Sequence, residues 1–243
     1  MAATLLLVHA FPLDASMWDE QVAALRSEAG VLAPSLPGFG GTPLDGEVLT
    51  MDAAADFLAK ELDGAGVDRA VVCGLSMGGY IAFSLWRRHR DRIAGLLLAD
   101  TRAEPDDEPG KARRRALAER LLAEGTDVLA DDPPPLLSAD APQTLWARVK
   151  ETIRAQPAAA IAAAALGMAE RPDSRPILGR IDVPTCVVVG SADTLTPPEL
   201  SEAMAREIPD AELTVHEGAG HLSNLEDAEG FTAALRGLVR RVG

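Results

Sequence analysis

The sequence predicts an α/β fold: a mostly parallel sheet of about six strands, helices on both faces and an inserted helical cap. Three observations predict it. Short continuous apolar runs, such as Leu5-Leu6-Leu7-Val8 and Ala70-Val71-Val72-Cys73, read as strands buried on both faces. Helix-like segments alternate with those runs, as a parallel sheet with crossover helices requires. The alternation fails once, from about residue 103 to residue 181, where no strand-like run occurs.

In chain order, Thr4 to Val8 is the first strand. Val31-Leu32-Ala33 is the second, ended by Pro34 and the Pro37-Gly38 turn signal. Asp52 to Leu62 reads as a helix, with Ala55, Leu58 and Leu62 on one face. Arg69 to Leu75 is a strand, Met77 to Arg88 a helix and Ile93 to Leu98 a strand. Thr185 to Val189 and Leu213-Thr214-Val215 are the last two strands. Between them lies a helix from Pro198 to Arg206, with its prolines at the start, where the missing N–H costs nothing. The C-terminal helix carries Phe231, Leu235, Leu238, Val239 and Val242 at helical spacing.

The interrupting segment reads as three or four helices. They are Pro109 to Glu124, Thr144 to Arg154 and the Ala-rich Ala158 to Met168, with a loop at Asp131-Asp132-Pro133-Pro134-Pro135. Alanine is the best helix former, so the Ala-rich stretch is expected to be a packed helix. Residues 1–102 and 182–243 are expected to form the core, and residues 103–181 the cap.

Composition bounds the function. A chain of 243 residues suits one large core with an inserted lobe. The net charge of −14 is opposite to the cationic footprint a nucleic-acid binder needs. Met1-Ala2-Ala3-Thr4 lacks a basic n-region, so no signal peptide is expected. The longest apolar stretch, Pro157 to Ala169, is too short to span a bilayer, and a soluble cytoplasmic protein is expected. The two cysteines, Cys73 and Cys186, sit inside apolar runs and read as buried structural thiols. The four histidines are scattered, so neither a zinc set nor another metal site is expected.

The chemistry concentrates at three strand ends. Gly74-Leu75-Ser76-Met77-Gly78-Gly79 follows a strand and opens a helix. That context makes G-x-S-x-G a nucleophile turn, whose glycines let strand and helix approach. His221, in Gly218-Ala219-Gly220-His221-Leu222, follows the last strand and is a candidate general base. His89 and His216 read as structural. Asp193 follows the strand Thr185 to Val189 and would fix the His221 tautomer. Asp100 also ends a strand and is a rival for that role, unless it braces the junction by accepting backbone N–H groups.

The order Ser76, Asp193, His221 is that of the α/β-hydrolase triad, and the chain resembles that superfamily over essentially its whole length. The segments His9-Ala10-Phe11-Pro12-Leu13-Asp14, Gly74 to Gly79 and Gly220-His221-Leu222-Ser223-Asn224-Leu225-Glu226 look like those of small esterases, enol-lactonases and cofactor-free haloperoxidases. The resemblance implies an oxyanion hole from two backbone N–H groups, those of Phe11 and Met77, with His9 structural. Ala10, Ser35 and Ala228 depart from the family, which commonly has Gly, Asp and Pro there. The chain also begins almost at the strand that carries the oxyanion loop, where the family usually has a preceding hairpin. Six parallel strands in the order 2-1-3-4-5-6 are therefore expected.

The reading is a cofactor-independent serine hydrolase of a small, mostly apolar ester or lactone, working through an acyl-enzyme. Leu121, Leu122, Leu136, Leu137, Trp146, Ile161 and Leu166 are expected to roof its pocket. Perhydrolysis, C–C bond hydrolysis and a slowly turning-over receptor are alternatives on the same triad.

Overall fold

The computed structural model describes residues 3–242. Its strands are β1 (Thr4–Val8), β2 (Gly30–Leu32), β3 (Ala70–Leu75), β4 (Ile93–Ala99), β5 (Thr185–Gly190) and β6 (Glu212–His216). They form one sheet in the order β2-β1-β3-β4-β5-β6, the order the sequence predicts. Every neighbouring pair is parallel. All residues of β3 and β5 are buried, which is why they read as unbroken apolar runs. β6 is an edge strand and exposes Glu212, Leu213 and Val215. The charge at Glu212, held by Arg241, blunts that edge against pairing with another chain.

A single 3₁₀ turn, Ala15–Trp18, leads into α1 (Asp19–Leu25). This pair is absent from the sequence reading because seven residues are too few to show a period. α2 (Met51–Gly64) starts where the Thr50 hydroxyl accepts from the Ala53 N–H at 3.0 Å. α3 (Met77–Arg88) is buried from Met77 to Trp86. It packs on β1, β3 and β4 and against α2.

Five helices lie between β4 and β5: α4 (Glu108–Glu124), α5 (Asp127–Ala130), α6 (Gln143–Ala155), α7 (Ala158–Ala169) and α8 (Arg175–Leu178). The three long ones stand where the sequence places them, and the four-residue α5 and α8 are additions. The Ala-rich α7 is buried over most of its length, packed against α4. Its small side chains let the loop before α2 approach so closely that the Leu49 N–H donates to the Ala163 carbonyl at 3.1 Å. One apolar cluster runs from the sheet (Leu6, Val72, Leu97, Val187) into this segment (Leu129, Ile153, Ile161).

After β5 come α9 (Pro198–Glu207), α10 (Ser223–Glu226) and α11 (Ala228–Val242). α11 packs on β3 to β6 and against α1. Among the described residues, no helix is long and apolar enough to cross a membrane.

Candidate active site

The site sits beyond the C-terminal ends of β3, β5 and β6, the edge at which parallel sheets present their loops. Ser76 stands between β3 and α3 in a conformation that side chains rarely adopt, φ 55° and ψ −112°. Two bonds hold it there. Its N–H donates to the Ala99 carbonyl at 2.9 Å, and the Thr101 hydroxyl donates to its carbonyl at 2.8 Å. The two outer glycines are dictated by contact. A Cβ on Gly74 would lie 2.2 Å from the Gly78 oxygen, and one on Gly78 would lie 2.2 Å from the Val8 oxygen. A side chain at either position would force strand and helix apart.

The turn aims Ser76 Oγ at His221, whose Nε2 lies 2.8 Å away. On the other side of the ring, Nδ1 lies 2.8 Å from Asp193 Oδ2. An imidazole with its Nδ1–H on a carboxylate leaves Nε2 to accept from the serine hydroxyl, which is the polarity proton transfer needs. Asp193 is fixed in turn. Its Oδ1 accepts from the Leu195 and Thr196 N–H groups at 2.8 and 3.0 Å, and its Oδ2 from the Thr196 hydroxyl at 2.6 Å. Burial opposes its ionisation, but the bonds from His221 and Thr196 outweigh burial and hold the carboxyl below the usual carboxylate range. Thr196 also lies 3.2 Å from His221 Nδ1. Sequence reasoning missed this residue; the available signal was a threonine three positions after an aspartate in a turn.

Asp100 does not reach the imidazole. It is fully buried; Oδ1 accepts from the Gly190 N–H at 2.8 Å and Oδ2 is hydrogen-bonded to the Ser223 hydroxyl. Burial pushes its pKa up to about 7. It is a brace, as its alternative role supposed, but it ties β4 to the end of β5 and to the start of α10 rather than to the inserted helices.

Glu226 is a second brace that the sequence did not reveal. Its carboxylate accepts from the Gly220 N–H at 2.7 Å and from the Ser138 N–H and hydroxyl at 3.0 and 2.5 Å. It thereby joins the residue before His221 to the inserted segment.

The remaining histidines are occupied elsewhere. His9 is fully buried; Nε2 accepts from the Leu36 N–H at 2.9 Å and Nδ1 donates to the Ala10 carbonyl at 3.1 Å. Burial pulls its pKa down to about 4, so it is neutral and structural. His216 Nδ1 meets Asp227 at 2.5 Å, and His89 Nε2 meets Asp56 at 2.7 Å, so His89 is paired rather than merely solvated. Burial raises both thiols, Cys73 and Cys186, which keeps them protonated and unreactive. Among the described residues, no group of three or more His, Cys, Asp or Glu side chains converges as a metal site.

Phe11 and Ser76 line one cavity of about 260 Å³, together with His221 and Thr196. Met77 is the first residue of α3, so its N–H is one of the unpaired donors of a helix start. Among the described residues, neither the Phe11 nor the Met77 N–H has a hydrogen-bond acceptor. The cavity walls are Tyr80, Arg102, Arg114, Leu117, Leu129, Pro134, Leu136, Met168 and Leu195. Of the seven residues expected to roof it, only Leu136 does so. Leu121, Leu137 and Ile161 are buried in the apolar cluster that continues from the sheet, Leu166 packs against that cluster, Trp146 lines a separate surface depression, and Leu122 is 65% exposed. Apolar character alone marks what is buried, not what faces a cavity. The two arginines are equally unforeseen.

Residues 5–234 match the alpha/beta hydrolase family. A pimeloyl-[acyl-carrier protein] methyl ester esterase of Neisseria meningitidis is 31% identical over 244 residues, spanning 97% of this chain and 93% of that protein. The 3-oxoadipate enol-lactonase 1 of Acinetobacter baylyi is 29% identical, over 99% of this chain and 90% of that one. A thermophilic esterase from Thermogutta terrifontis, solved with malate bound, superposes with a TM-score of 0.96 at 44% identity, covering 99% of this chain and 90% of that chain. A match that runs from β1 into α11, carried by a six-stranded parallel sheet with a serine turn after its third strand, places the protein: it belongs to the alpha/beta hydrolase family.

Proposed function

We propose that this protein is a serine hydrolase that cleaves a small carboxylic ester or lactone through an acyl-enzyme. The observation that carries this reading is the continuous relay from Ser76 through His221 to Asp193, with 2.8 Å at each step, opening into the cavity. Ser76 Oγ attacks the carbonyl carbon while its proton passes to His221 Nε2. The carbonyl electrons move onto oxygen, which the Phe11 and Met77 N–H groups would hold; such donors lower barriers by several kcal/mol. Collapse breaks the acyl–oxygen bond, and His221 returns the proton to the leaving alkoxide. Water, deprotonated by His221, then attacks the acyl carbon and frees Ser76. Asp193 stays ionised throughout and stabilises the imidazolium.

The relatives' printed activities, a methyl ester esterase and an enol-lactonase, support this choice of bond. The cavity of about 260 Å³ suits a small substrate. The same reading makes residues 1–102 and 182–243 the catalytic core and residues 103–181 the cap over the substrate.

The test is hydrolysis of 4-nitrophenyl acetate followed from the first turnover, with intact-mass detection of the acyl-enzyme. A mass increment on Ser76, lost in Ser76→Ala together with at least 99% of the rate, is expected. Removing a triad nucleophile alone costs on the order of 10⁶ in a serine protease. A Ser76→Ala variant that keeps more than a tenth of the rate, with an unchanged melt, overturns the assignment.

A further inference from the structure

Two arginines share the cavity with Ser76 and His221, in a protein whose net charge is −14. Arg102 and Arg114 come from the end of β4 and from α4. Both grip Asp106: Arg102 Nη2 donates to Oδ1 at 2.6 Å, and Arg114 Nε donates to Oδ2. A third guanidinium, Arg171, also donates to Oδ1, at 2.8 Å. Arg171 is enclosed. It lies 4.2 Å over the Tyr80 ring and donates to the Met168 and Glu104 carbonyls, while its Nε is buried without a partner. Arg171 thus anchors Asp106, and Asp106 steers Arg102 and Arg114.

The charges do not cancel. Three guanidiniums meet one carboxylate, and Asp106 is the only acid among the residues lining this cavity and the adjoining depression shared by Arg102 and Arg114. The donors do not all find acceptors either. Each guanidinium carries five N–H groups. Arg102 Nε is buried without a partner, Arg114 Nη1 meets only the Met168 sulfur at 3.4 Å, and Arg114 Nη2 has no acceptor among the described residues. The buried Arg102 Nε costs free energy unless a ligand completes it, and the partly exposed Arg114 Nη2 is free to meet a ligand that enters the cavity. A planar carboxylate is the group that matches them.

We infer that the substrate is an ester or lactone carrying a free carboxylate a few carbons from the scissile carbonyl, and that Arg102 and Arg114 bind that carboxylate. The inference rests on the hydrolase reading and names its substrate class. Apolar walls take the connecting methylenes, the arginines fix the far end, and Ser76 meets the carbonyl. Selectivity then comes from local contact, because the acidic molecule as a whole repels anions.

The experiment compares methyl hydrogen glutarate with methyl pentanoate, which has the same carbon count and no charge. Wild type is expected to favour the hemiester in kcat/KM by at least tenfold. Arg114→Gln and Arg102→Gln should shrink that ratio towards one, chiefly through KM, and Arg114→Lys should keep part of it. Arg120→Gln, on an exposed face of α4, should leave the ratio as it is. Inhibition of the wild type needs no variant: glutarate should compete at least tenfold more strongly than glutaramide, which has the same number of heavy atoms and no charge. A wild-type enzyme that cleaves methyl pentanoate as well as the hemiester, or binds glutaramide as tightly as glutarate, overturns the inference and leaves the hydrolase reading standing. Failure to cleave either ester, with no acylation of Ser76 by 4-nitrophenyl acetate, overturns both.

Discussion

The Ser223 hydroxyl is hydrogen-bonded to the buried carboxyl of Asp100, so the chain two residues past His221 is tied to the end of β4. Asp193, at the end of the neighbouring strand, takes the imidazole itself at 2.8 Å. The two aspartates hold one histidine from two sides, one through its loop and one through its ring.

That division predicts unequal losses. Asp193→Asn should lower kcat by at least 100-fold, because an amide can hold His221 in the wrong tautomer; in a serine protease the same change costs about 10⁴. Asp100→Asn should cost less than tenfold, since asparagine can still accept from Gly190 and donate to Ser223. The measurement is kcat for both variants at one pH, with melts to exclude unfolding. A larger loss at Asp100 would reassign the acid.

Asp100 also predicts a pH dependence of stability. Its pKa rises from 3.8 to about 7 on folding, so between those values the folded chain holds the extra proton. Its stabilising contribution is complete below pH 3.8 and is lost as pH rises through 7. Asp100→Asn cannot lose that proton. The variant should therefore gain on wild type, on the order of 1 kcal/mol or more, between pH 5 and pH 8. His9 works in the opposite direction. Its pKa falls from 6.5 to about 4, so stability is lost as pH drops from 6.5 through 4. Denaturant titrations of both proteins across pH 5 to 8 read the Asp100 effect, because His9 is common to both. A difference that does not change with pH would place Asp100 as a carboxylate.

Glu226→Gln tests the tie between His221 and the inserted segment. The carboxylate serves Gly220 and Ser138 at once, and an amide oxygen cannot replace all three bonds. A loss of about 1–3 kcal/mol is expected, as for other disrupted bonds to charged groups. A fall in kcat of about tenfold should accompany it, equivalent to ~1.4 kcal/mol of barrier. Equilibrium unfolding and steady-state kinetics check the two separately, and an unchanged kcat would confine Glu226 to structure.

Gly78→Ala should be worse than its single methyl suggests. The new Cβ would lie 2.2 Å from the Val8 carbonyl oxygen, in backbone that cannot move aside. A cost of about 1–3 kcal/mol is expected for such overpacking, or roughly 2–4 °C of melting temperature per kcal/mol. Activity should fall with it, because Val8 leads into the loop that carries Phe11. A melt within 1 °C of wild type would refute the contact.

The fold was legible where burial wrote itself into the sequence. β1, β3, β4 and β5 are covered on both faces and show as apolar runs, and their boundaries shift by a residue at most. α1 was not legible, because seven residues after a 3₁₀ turn leave no period to read. The relay residues stood out because each follows a strand in a glycine-bearing loop. The residues that complete the site did not. Thr196, Glu226, Arg102 and Arg114 matter through partners up to 88 positions away, as Glu226 does through Ser138. Leu122 and Leu136 are alike in sequence, yet one faces solvent and the other the cavity, because orientation is settled by packing.

The backbone at Ser76 sets a limit on how this enzyme could be made hardier. A non-glycine residue held at φ 55° and ψ −112° costs about 1–3 kcal/mol, which the rest of the fold must offset. Glycine at that position would relieve the strain, less about 0.5–1 kcal/mol for its greater freedom in the unfolded chain. A screen for heat resistance alone would therefore tend to favour a molecule without its nucleophile. Any programme of stabilisation has to keep turnover in the selection, since at this one position endurance and chemistry pull the sequence in opposite directions.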